Sequence, residues 1–191
     1  LCATQGPQQA AALYQQWLQD GPQPLRHVAQ FNLGTLLGSL QRTDEAEAAY
    51  RAAVALQPDF PHARLELGHL LERSGQHDAA LDEWRAVIAA APAADLQVHA
   101  WNNIGRLLEQ MRHYPEAEAA LKQSLLLEPA QPSVIQHYVH LRQKQCAWPV
   151  YQPVGEVGVN RLLQGTSLLA MMGLSDDPAL QLLSAVRFAA E

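Results

Sequence analysis

The most restrictive feature of the sequence is one spacing pattern that occurs three times. In Val98–Gln131, Gly105 is followed by a second small residue, Ala117, and near the end by Pro129. The small side chains allow two antiparallel helices to touch, and the proline stops the second helix. The same marks recur in two earlier stretches, as Leu33, Gly34, Leu37, Ala46, Tyr50, Ala53 and Pro58, and as Leu67, Gly68, Leu71, Gly75, Ala80, Trp84, Val87 and Pro92. The chain is therefore predicted to be a row of helix pairs.

Counted from Val98, the pattern resembles the tetratricopeptide repeat, a helix–turn–helix unit of about 34 residues. The matching marks are Trp101 at position 4, Ile104 at 7, Gly105 at 8, Tyr114 at 17, Ala117 at 20, Leu121 at 24, Ser124 at 27 and Pro129 at 32. The resemblance implies an all-α fold, a right-handed superhelix of antiparallel helix pairs. A single pair cannot bury its own apolar face, so about three repeats are the minimum for a stable stack.

The same spacing predicts how the chain is divided. The segments are a leading half-repeat and turn at 1–26, repeats at 27–60, 61–94 and 98–131, a trailing helix at 132–145, and a connector with a C-terminal helix at 146–191. Asp95–Gln97 is predicted to be an insertion between the second and third repeats. Val139 stands where the trailing helix would need a glycine, so the stack is predicted to end there.

A few residues predict where helices begin and end. Asp44 and Asp78 open the second helices of their repeats and are placed to cap them. Gly75 is expected to end a first helix in the left-handed conformation. Asp177 followed by Pro178 predicts the start of the last helix, because proline is tolerated at the first helical position.

Charge and composition exclude some classes of function. The 191-residue chain has a net charge of −6, whereas nucleic-acid binding needs clustered Lys and Arg. No apolar run approaches the roughly 18 residues that span a bilayer, and no signal peptide is recognised. Cys2 and Cys146 are isolated thiols rather than a disulfide framework. Because such thiols fit a reducing compartment, a cytoplasmic location is predicted.

The end of the chain resembles a junction found in a family of enzymes. Its marks are Cys146-Ala147-Trp148, Gly165-Thr166-Ser167-Leu168-Leu169-Ala170 and Ser175-Asp176-Asp177-Pro178-Ala179-Leu180-Gln181-Leu182. They are similar to the segment that joins the repeats to the catalytic part in bacterial relatives of O-GlcNAc transferase, the SPINDLY-type glycosyltransferases. Enzymes of this family use a UDP-sugar, but the sequence contains no Gly-rich phosphate loop. The resemblance implies that this chain is a substrate-recognition arm without catalytic residues or a cofactor.

The first helices of the repeats carry the candidate binding residues. Tetratricopeptide arrays bind partners on a concave surface, and the predicted peptide-binding residues there are Asn32, Thr35, Glu66, His69, Arg73, Asn102, Asn103, Arg106, His137 and His140. Asn32 and Asn103 match an asparagine ladder that holds the peptide backbone in O-GlcNAc transferases, while Glu66 and His137 interrupt it. An Asn amide suits this role because it offers both a donor and an acceptor. The alternative is that these Asn side chains only solvate a helix face.

Chaperone docking is not predicted. The chaperone-binding version of this fold clamps a C-terminal carboxylate with Lys at position 5 and Asn at position 9 of one first helix. The first repeat has Phe31 and Thr35 at these positions, and the second has Leu65 and His69.

The histidines are predicted to be ordinary groove and surface residues. His62 and His69 share a helix face, and His137 and His140 lie three residues apart. Zinc would need three or four ligands converging at about 2 Å, which this linear spacing does not guarantee. No metal site is therefore predicted.

The tryptophans and the junction cysteine are predicted to pack. Trp17, Trp84 and Trp101 fall on core positions of the repeat. Cys146 would need a paired base and a lowered pKa to act as a nucleophile. Because it lies beside Trp148 in the junction, a packing role is predicted instead.

The last helix presents an apolar face that needs a partner. Leu180, Leu183 and Val186 recur on one side of it. We expect the helix to fold back on the trailing helix and on Leu162, Leu163, Leu168 and Leu169, because intramolecular contact avoids the entropy cost of association. The alternative is a homodimer through this helix.

The predicted partner is a polypeptide segment or protein held in the concave groove, with neither nucleic acid nor membrane as a partner. One hypothesis is the recognition arm of an O-GlcNAc-transferase-like enzyme. The alternative is a free-standing adaptor that scaffolds a protein complex. This chain itself is predicted not to be an enzyme, while a UDP-sugar-dependent activity stays open for a longer protein. The gene sequence after Glu191 would separate the two hypotheses.

Overall fold

The computed structural model describes residues 6–19, 24–90, 93–166, 171–172 and 177–190, without the side chains of residues 184 and 187–190. In the residues it describes, the regular structure is helical except for one isolated antiparallel bridge between Val154 and Val157. The helices are α1 (Pro7–Gln19), α2 (Arg26–Ser39), α3 (Thr43–Leu56), α4 (Pro61–Arg73), α5 (His77–Ala89), α6 (Ala94–Gln110), α7 (Tyr114–Leu127), α8 (Pro132–Lys144), α9 (Val159–Gly165) and α10 (Pro178–Ala190). The predicted all-α fold of helix pairs is confirmed.

The chain divides into two compact units, Leu1–Pro92 and Ala93–Glu191. In the first unit α2 packs on α3 and α4 packs on α5, while α1 packs on α2 and α3 packs on α4. In the second unit α6 packs on α7, α7 on α8, and α8 on α9. Within α1 to α5 and within α6 to α9, each helix therefore packs on its neighbours in sequence, as expected for stacked helical hairpins.

A glycine on the first helix of each pair allows the second helix to come close. The contacts are Gly34 with Tyr50, Gly68 with Trp84, and Gly105 with Leu121. A β-carbon on Gly34 would lie 2.7 Å from Cε1 of Tyr50. All three partner side chains are buried, with at most 4% of their surface exposed. A larger residue at any of these glycines would force one helix away from the other.

The predicted helix ends are partly correct. Gly75 has φ of 79° and follows α4, as expected for a left-handed cap. The carboxylate of Asp177 accepts a hydrogen bond from the backbone N–H of Ala179 at 2.9 Å, so this cap is confirmed. The caps predicted for Asp44 and Asp78 are wrong, because each helix begins one residue earlier and has no side-chain cap. Both carboxylates lie in the first turn, where they favour the helix dipole.

The predicted insertion Asp95–Gln97 is part of a helix. Because α6 begins at Ala94, these three residues form its first turn, and the helix starts earlier than predicted. Asp95 is an acidic residue in that turn, a position that stabilises a helix. The extra residues therefore lengthen a helix instead of forming a loop.

At the end of the stack, the small residue that allows two helices to come close lies on the second helix of the pair and not on the first. Val139 replaces the glycine of α8 and is 1% exposed. The small residue now lies on the later element, because a β-carbon on Gly165 of α9 would come within 3.2 Å of Cβ of Ile135 on α8. The connector between these helices buries Val150, Val154 and Val157. Short α9 and the connector thus cover α8 in place of a full partner helix.

Of the tryptophans and the junction cysteine that were predicted to pack, only Trp84 is fully buried. Trp84 has no exposed surface, Trp17 is 36% exposed, and Trp101 is half-buried. Trp148 is 74% exposed and Cys146 is also exposed, so the packing role predicted for this pair is wrong. Trp17 lies on α1, which lacks a preceding helix within the described residues.

The predicted fold-back of the last helix stays a prediction, because Leu168 and Leu169, which were expected to receive its apolar face, lie outside the described residues. On α10 itself, Leu180 is half-buried, while Leu183 and Val186 are 46% and 59% exposed. The homodimer alternative also stays a prediction.

Candidate functional site

The predicted binding residues in the first unit lie on α2 and α4. Thr35, Glu66 and Arg73 are exposed, and Asn32 and His69 are half-buried. The Nδ2 group of Asn32 donates a hydrogen bond to the hydroxyl of Tyr14 at 3.3 Å. Thr35 lies 3.2 Å from the hydroxyl of Tyr50, and His69 packs edge-on against the Trp84 ring. Asn32 therefore contacts α1, and Thr35 contacts α3.

Burial raises the pKa of the Tyr50 hydroxyl, and the nearby Glu66 carboxylate raises it further, while the hydrogen bond to Thr35 opposes the shift. Thr35 and Glu66 therefore act on the same hydroxyl. The structure brings these two predicted residues together around a tyrosine.

Aromatic rings connect α2 to the residue that precedes α4. The Phe60 ring centroid is 5.3 Å from those of both His27 and Phe31, in edge-on arrangements. Such pairs add stability beyond simple burial.

In the second unit one carboxylate of α6 contacts two side chains of α8. Glu109 connects the two helices, with one carboxylate oxygen 3.1 Å from Nδ1 of His137 and the other 3.4 Å from Nζ of Lys144. His140 and Arg106 are exposed nearby in sequence, on α8 and α6. We define the α6–α8 face by Asn103, Arg106, Glu109, His137, His140 and Lys144.

Burial and the charges of neighbouring side chains shift the pKa of His140. Partial burial lowers its pKa below the ordinary value of 6.5, and the positive charge of Lys144 lowers it further. Glu109 opposes the shift. His140 is therefore favoured in its neutral form, with a ring nitrogen available as an acceptor.

Sequence reasoning missed Glu109, although it occupies motif position 12, three residues after the predicted binding residue Arg106 and on the same side of the helix. Its side chain is only 16% exposed, and it pairs with residues of the following first helix. The motif position was the only feature of the sequence that could have identified Glu109 as a binding residue. Its two partners were fixed by the packing of α6 near α8, which spacing within one helix does not show.

Asn102 was predicted to bind a peptide, but its side chain forms a hydrogen bond within the chain. Its Nδ2 group donates to Oε1 of Gln131 at 2.8 Å, and Gln131 in turn donates to the hydroxyl of Ser124 at 2.9 Å. Asn102 is half-buried, and its Oδ1 atom is buried without a hydrogen-bond partner in the described part of the chain. It links α6 to the loop between α7 and α8.

A second residue missed from the sequence is Arg142. It forms a partly buried ion pair with Glu118 and donates to the backbone carbonyls of Pro149 at 2.9 Å and Val150 at 3.1 Å. The Glu118 side chain is only 18% exposed. The guanidinium suits this position because it offers several donors in one plane. Arg142 thus holds the connector against α8.

The described residues contain no group of three or more His, Cys, Asp or Glu side chains that would hold a metal ion. Among the same residues, no helix is long and apolar enough to cross a membrane.

The family comparison agrees with the helix pairs. The chain matches a tetratricopeptide repeat family model at residues 3–59 and 31–95, and a second tetratricopeptide repeat model at residues 98–131. The chain belongs to the tetratricopeptide repeat family. It is a repeat domain, and its described part is built from helix pairs and not from a catalytic fold.

Curated relatives of this tetratricopeptide repeat chain are much longer than the chain itself. It is 35% identical over 94 residues to cellulose synthase operon protein C of Pseudomonas fluorescens, covering 47% of this chain and 7% of that protein. It is 33% identical over 97 residues to protein O-mannosyl-transferase Tmtc1 of Drosophila melanogaster, covering 50% of this chain and 11% of that protein. The chain therefore spans only a small part of each.

Solved structures share the fold of this tetratricopeptide repeat chain at low sequence identity. MamA residues 41 to the end from Desulfovibrio magneticus RS-1 align with a TM-score of 0.62 and 21% identity, covering 73% of this chain and 76% of that one. PilF of Pseudomonas aeruginosa aligns with a TM-score of 0.62 and 18% identity, covering 97% and 86%. These structures are similar in fold alone. None of the similar proteins described here is an O-GlcNAc transferase.

Proposed function

We propose that this repeat domain binds an extended polypeptide on the α6–α8 face. The observation that carries the proposal is the position of Glu109 on α6, which contacts His137 and Lys144 on α8 and so connects the polar side chains of the two helices. Concave faces of repeat arrays are built from such first helices. Asn103 adds an amide that suits a peptide backbone.

The preferred segment carries acidic side chains. The α6–α8 face holds the cations Arg106 and Lys144 against a single carboxylate, Glu109, and the imidazoles of His137 and His140 lie beside them in sequence. This local excess of one positive charge contrasts with the net charge of −6 for the whole chain. Charge complementarity of this kind favours the correct partner and speeds its encounter.

A displayed library of random peptides tests the proposal. Selection on the purified chain should enrich peptides with Asp or Glu, whose affinity is then measured by titration calorimetry. Arg106→Glu and His140→Ala should each weaken binding, Arg106→Glu by about tenfold or more. Arg85→Glu, a matched change on α5 in the other unit, should leave the affinity unchanged. Absence of enrichment, or binding that is insensitive to Arg106→Glu, would rule the proposal out.

The first unit offers a second candidate face. Asn32, Thr35, Glu66, His69 and Arg73 lie on its first helices, and His69 packs against the ring of Trp84. Together they would suit a segment with an apolar or aromatic side chain. Selected peptides that lose affinity on His69→Ala but not on Arg106→Glu would assign binding to this face.

A second candidate function is the recognition arm of a protein glycosyltransferase. Its support is the junction resemblance and the similarity to a named O-mannosyl-transferase, of which the chain covers 11%. An α/β catalytic sequence following Glu191 in the gene would favour this function. A stop codon there would favour the free-standing adaptor.

The reducing cytoplasm is the proposed compartment. The free thiol of Cys146 is exposed, and exposed thiols persist where the surroundings keep them reduced. Fractionation of the source cells, followed by antibody detection, tests this assignment.

A further inference from the structure

The α6–α8 face carries a cluster of titratable groups. Glu109 on α6 connects it, with one carboxylate oxygen 3.1 Å from Nδ1 of His137 and the other 3.4 Å from Nζ of Lys144. The Glu109 side chain is 16% exposed, whereas that of His137 is 56% exposed. His140 lies between His137 and Lys144 on α8 and is also exposed. The imidazoles are therefore close enough to the other charges to be influenced by them, and open enough to meet a ligand.

His140 responds to the charges on both helices. Residues three and four apart on a helix are neighbours, so His140 lies beside His137 and Lys144 on α8. Burial lowers the pKa of His140, Lys144 lowers it further, Glu109 opposes the shift, and His137 adds to the lowering. The carboxylate of α6 thus acts on both histidines of α8.

The other elements packed on α8 bring little charge to this cluster. On α7, Glu118 forms a partly buried ion pair with Arg142, so the two charges compensate each other. The neutral ring of Tyr114 has its centroid 5.2 Å from Nζ of Lys144. The other ionisable side chains of the neighbouring helices are exposed: Asp95 and His99 on α6, Glu116 and Lys122 on α7, and Arg161 on α9.

Protonation of the two histidines changes the charge of the α6–α8 face. With neutral imidazoles, Arg106 and Lys144 stand against the carboxylate of Glu109, which leaves one positive charge. Histidine side chains gain a proton between about pH 8 and about pH 5, and two added protons raise the charge of the face to three. A protonated His137 would also pair with Glu109 and weaken the hold of that carboxylate on Lys144.

We propose that His137 and His140 make the binding of an acidic segment at the α6–α8 face stronger as the pH falls. This regulation rests on the peptide binding proposed above and adds a proton-coupled step to it. A ligand carboxylate close to the imidazoles favours their charged form, so binding takes up protons. Because the coupling is reciprocal, the bound segment should raise the pKa of His140.

Titration calorimetry with an oligo-aspartate peptide tests the proposal. Its ends are blocked, and its carboxylates stay ionised across the range from about pH 8 to about pH 5.5. The affinity should rise by about threefold or more over this range, as expected for two added exposed ion pairs. His137→Gln and His140→Gln should each reduce the rise, and the double variant should abolish it. His62→Gln, which changes an exposed histidine of α4 in the other unit, is the matched control and should keep the full rise.

An NMR pH series gives a second readout. Bound oligo-aspartate should raise the titration midpoint of His140, whereas an oligo-asparagine peptide should leave it unchanged. Circular dichroism at both ends of the pH range would show that every variant is folded.

The outcomes separate the pH regulation from the peptide binding. Binding that is weakened by Arg106→Glu but is equally tight at every pH would overturn the regulation and leave the peptide binding standing. A full rise in the double histidine variant would overturn the regulation as well. Absence of binding at every pH, or binding that is insensitive to Arg106→Glu, would overturn both.

Discussion

Gly68 lies against the indole ring of Trp84, at the place where any other residue would carry its β-carbon. The indole nitrogen of Trp84 donates a hydrogen bond to the carbonyl of Leu65 at 3.3 Å, so the ring is fixed in this position. Trp84 has no exposed surface. One missing methyl group on α4 thus allows the largest side chain of α5 to reach the core.

Gly68→Ala should lower the free energy of unfolding by about 1–3 kcal/mol, because the new methyl group overlaps a rigid, buried ring. The matched control is Gly38→Ala on α2, where no atom lies within 4 Å of the new carbon. That change should stabilise the chain by about 0.5–1 kcal/mol, since alanine is the better helix former. Urea unfolding followed by circular dichroism measures both. Equal effects would show that the close approach at Gly68 is not limiting.

Arg142→Met should cost about 3 kcal/mol or more, because it leaves the partly buried Glu118 carboxylate without its cation. It also removes donors from the carbonyls of Pro149 and Val150. Arg85→Met is the control, since the side chains of Arg85 and Asp82 are 59% and 75% exposed, and it should cost less than about 1 kcal/mol.

The same variant should loosen the connector. Limited proteolysis of Arg142→Met is expected to cut residues 146–158 faster than in the parent chain, with the same cleavage sites elsewhere. Adding Glu118→Gln should recover part of the lost stability, because the second change removes the unpaired charge. Strictly additive losses would contradict a direct pair.

The His140 ring should titrate with a midpoint below 6.5 in an NMR pH series, because burial and then Lys144 lower its pKa. Lys144→Met should raise that midpoint, and Glu109→Gln should lower it further. The folded chain binds the proton less readily than the unfolded chain does. The contribution of His140 to stability is therefore complete above 6.5 and declines as the pH falls from there through the folded pKa.

Trp84→Ala should destabilise the chain by about 3–5 kcal/mol, because it leaves a cavity between α4 and α5. Trp148→Ala should change stability by no more than about 0.5 kcal/mol, as at other exposed sites, since that side chain is 74% exposed. Thermal and urea unfolding of the two variants compare the positions. A larger effect at Trp148 would place the connector in the folded core.

Only some properties of the predicted peptide-binding residues could be read from the sequence. His137 and His140 were assigned to an exposed face by motif position, and both are exposed. Asn102 was assigned in the same way, but its amide is directed to Gln131. Motif positions separate the faces of one helix, whereas the partner of each side chain depends on the neighbouring helix.

The apolar residues show the same limit. Trp84 and Trp17 both occupy core positions of the repeat pattern, yet only Trp84 is buried. The difference arises because α5 packs against a preceding first helix and α1 has none among the described residues. The pattern predicts which side of a helix is apolar, and only the packed neighbours decide whether that side is covered.

The helix pairs of this protein follow from the residue spacing alone. Glycine, alanine and proline at fixed spacing act within one hairpin, where steric fit is local, and Gly34, Gly68 and Gly105 all lie where the spacing predicted close contact. The contact of Glu109 with α8 and the contact of Arg142 with the connector became visible only in the folded chain. These contacts link residues from different helices, and their geometry depends on how the whole unit packs.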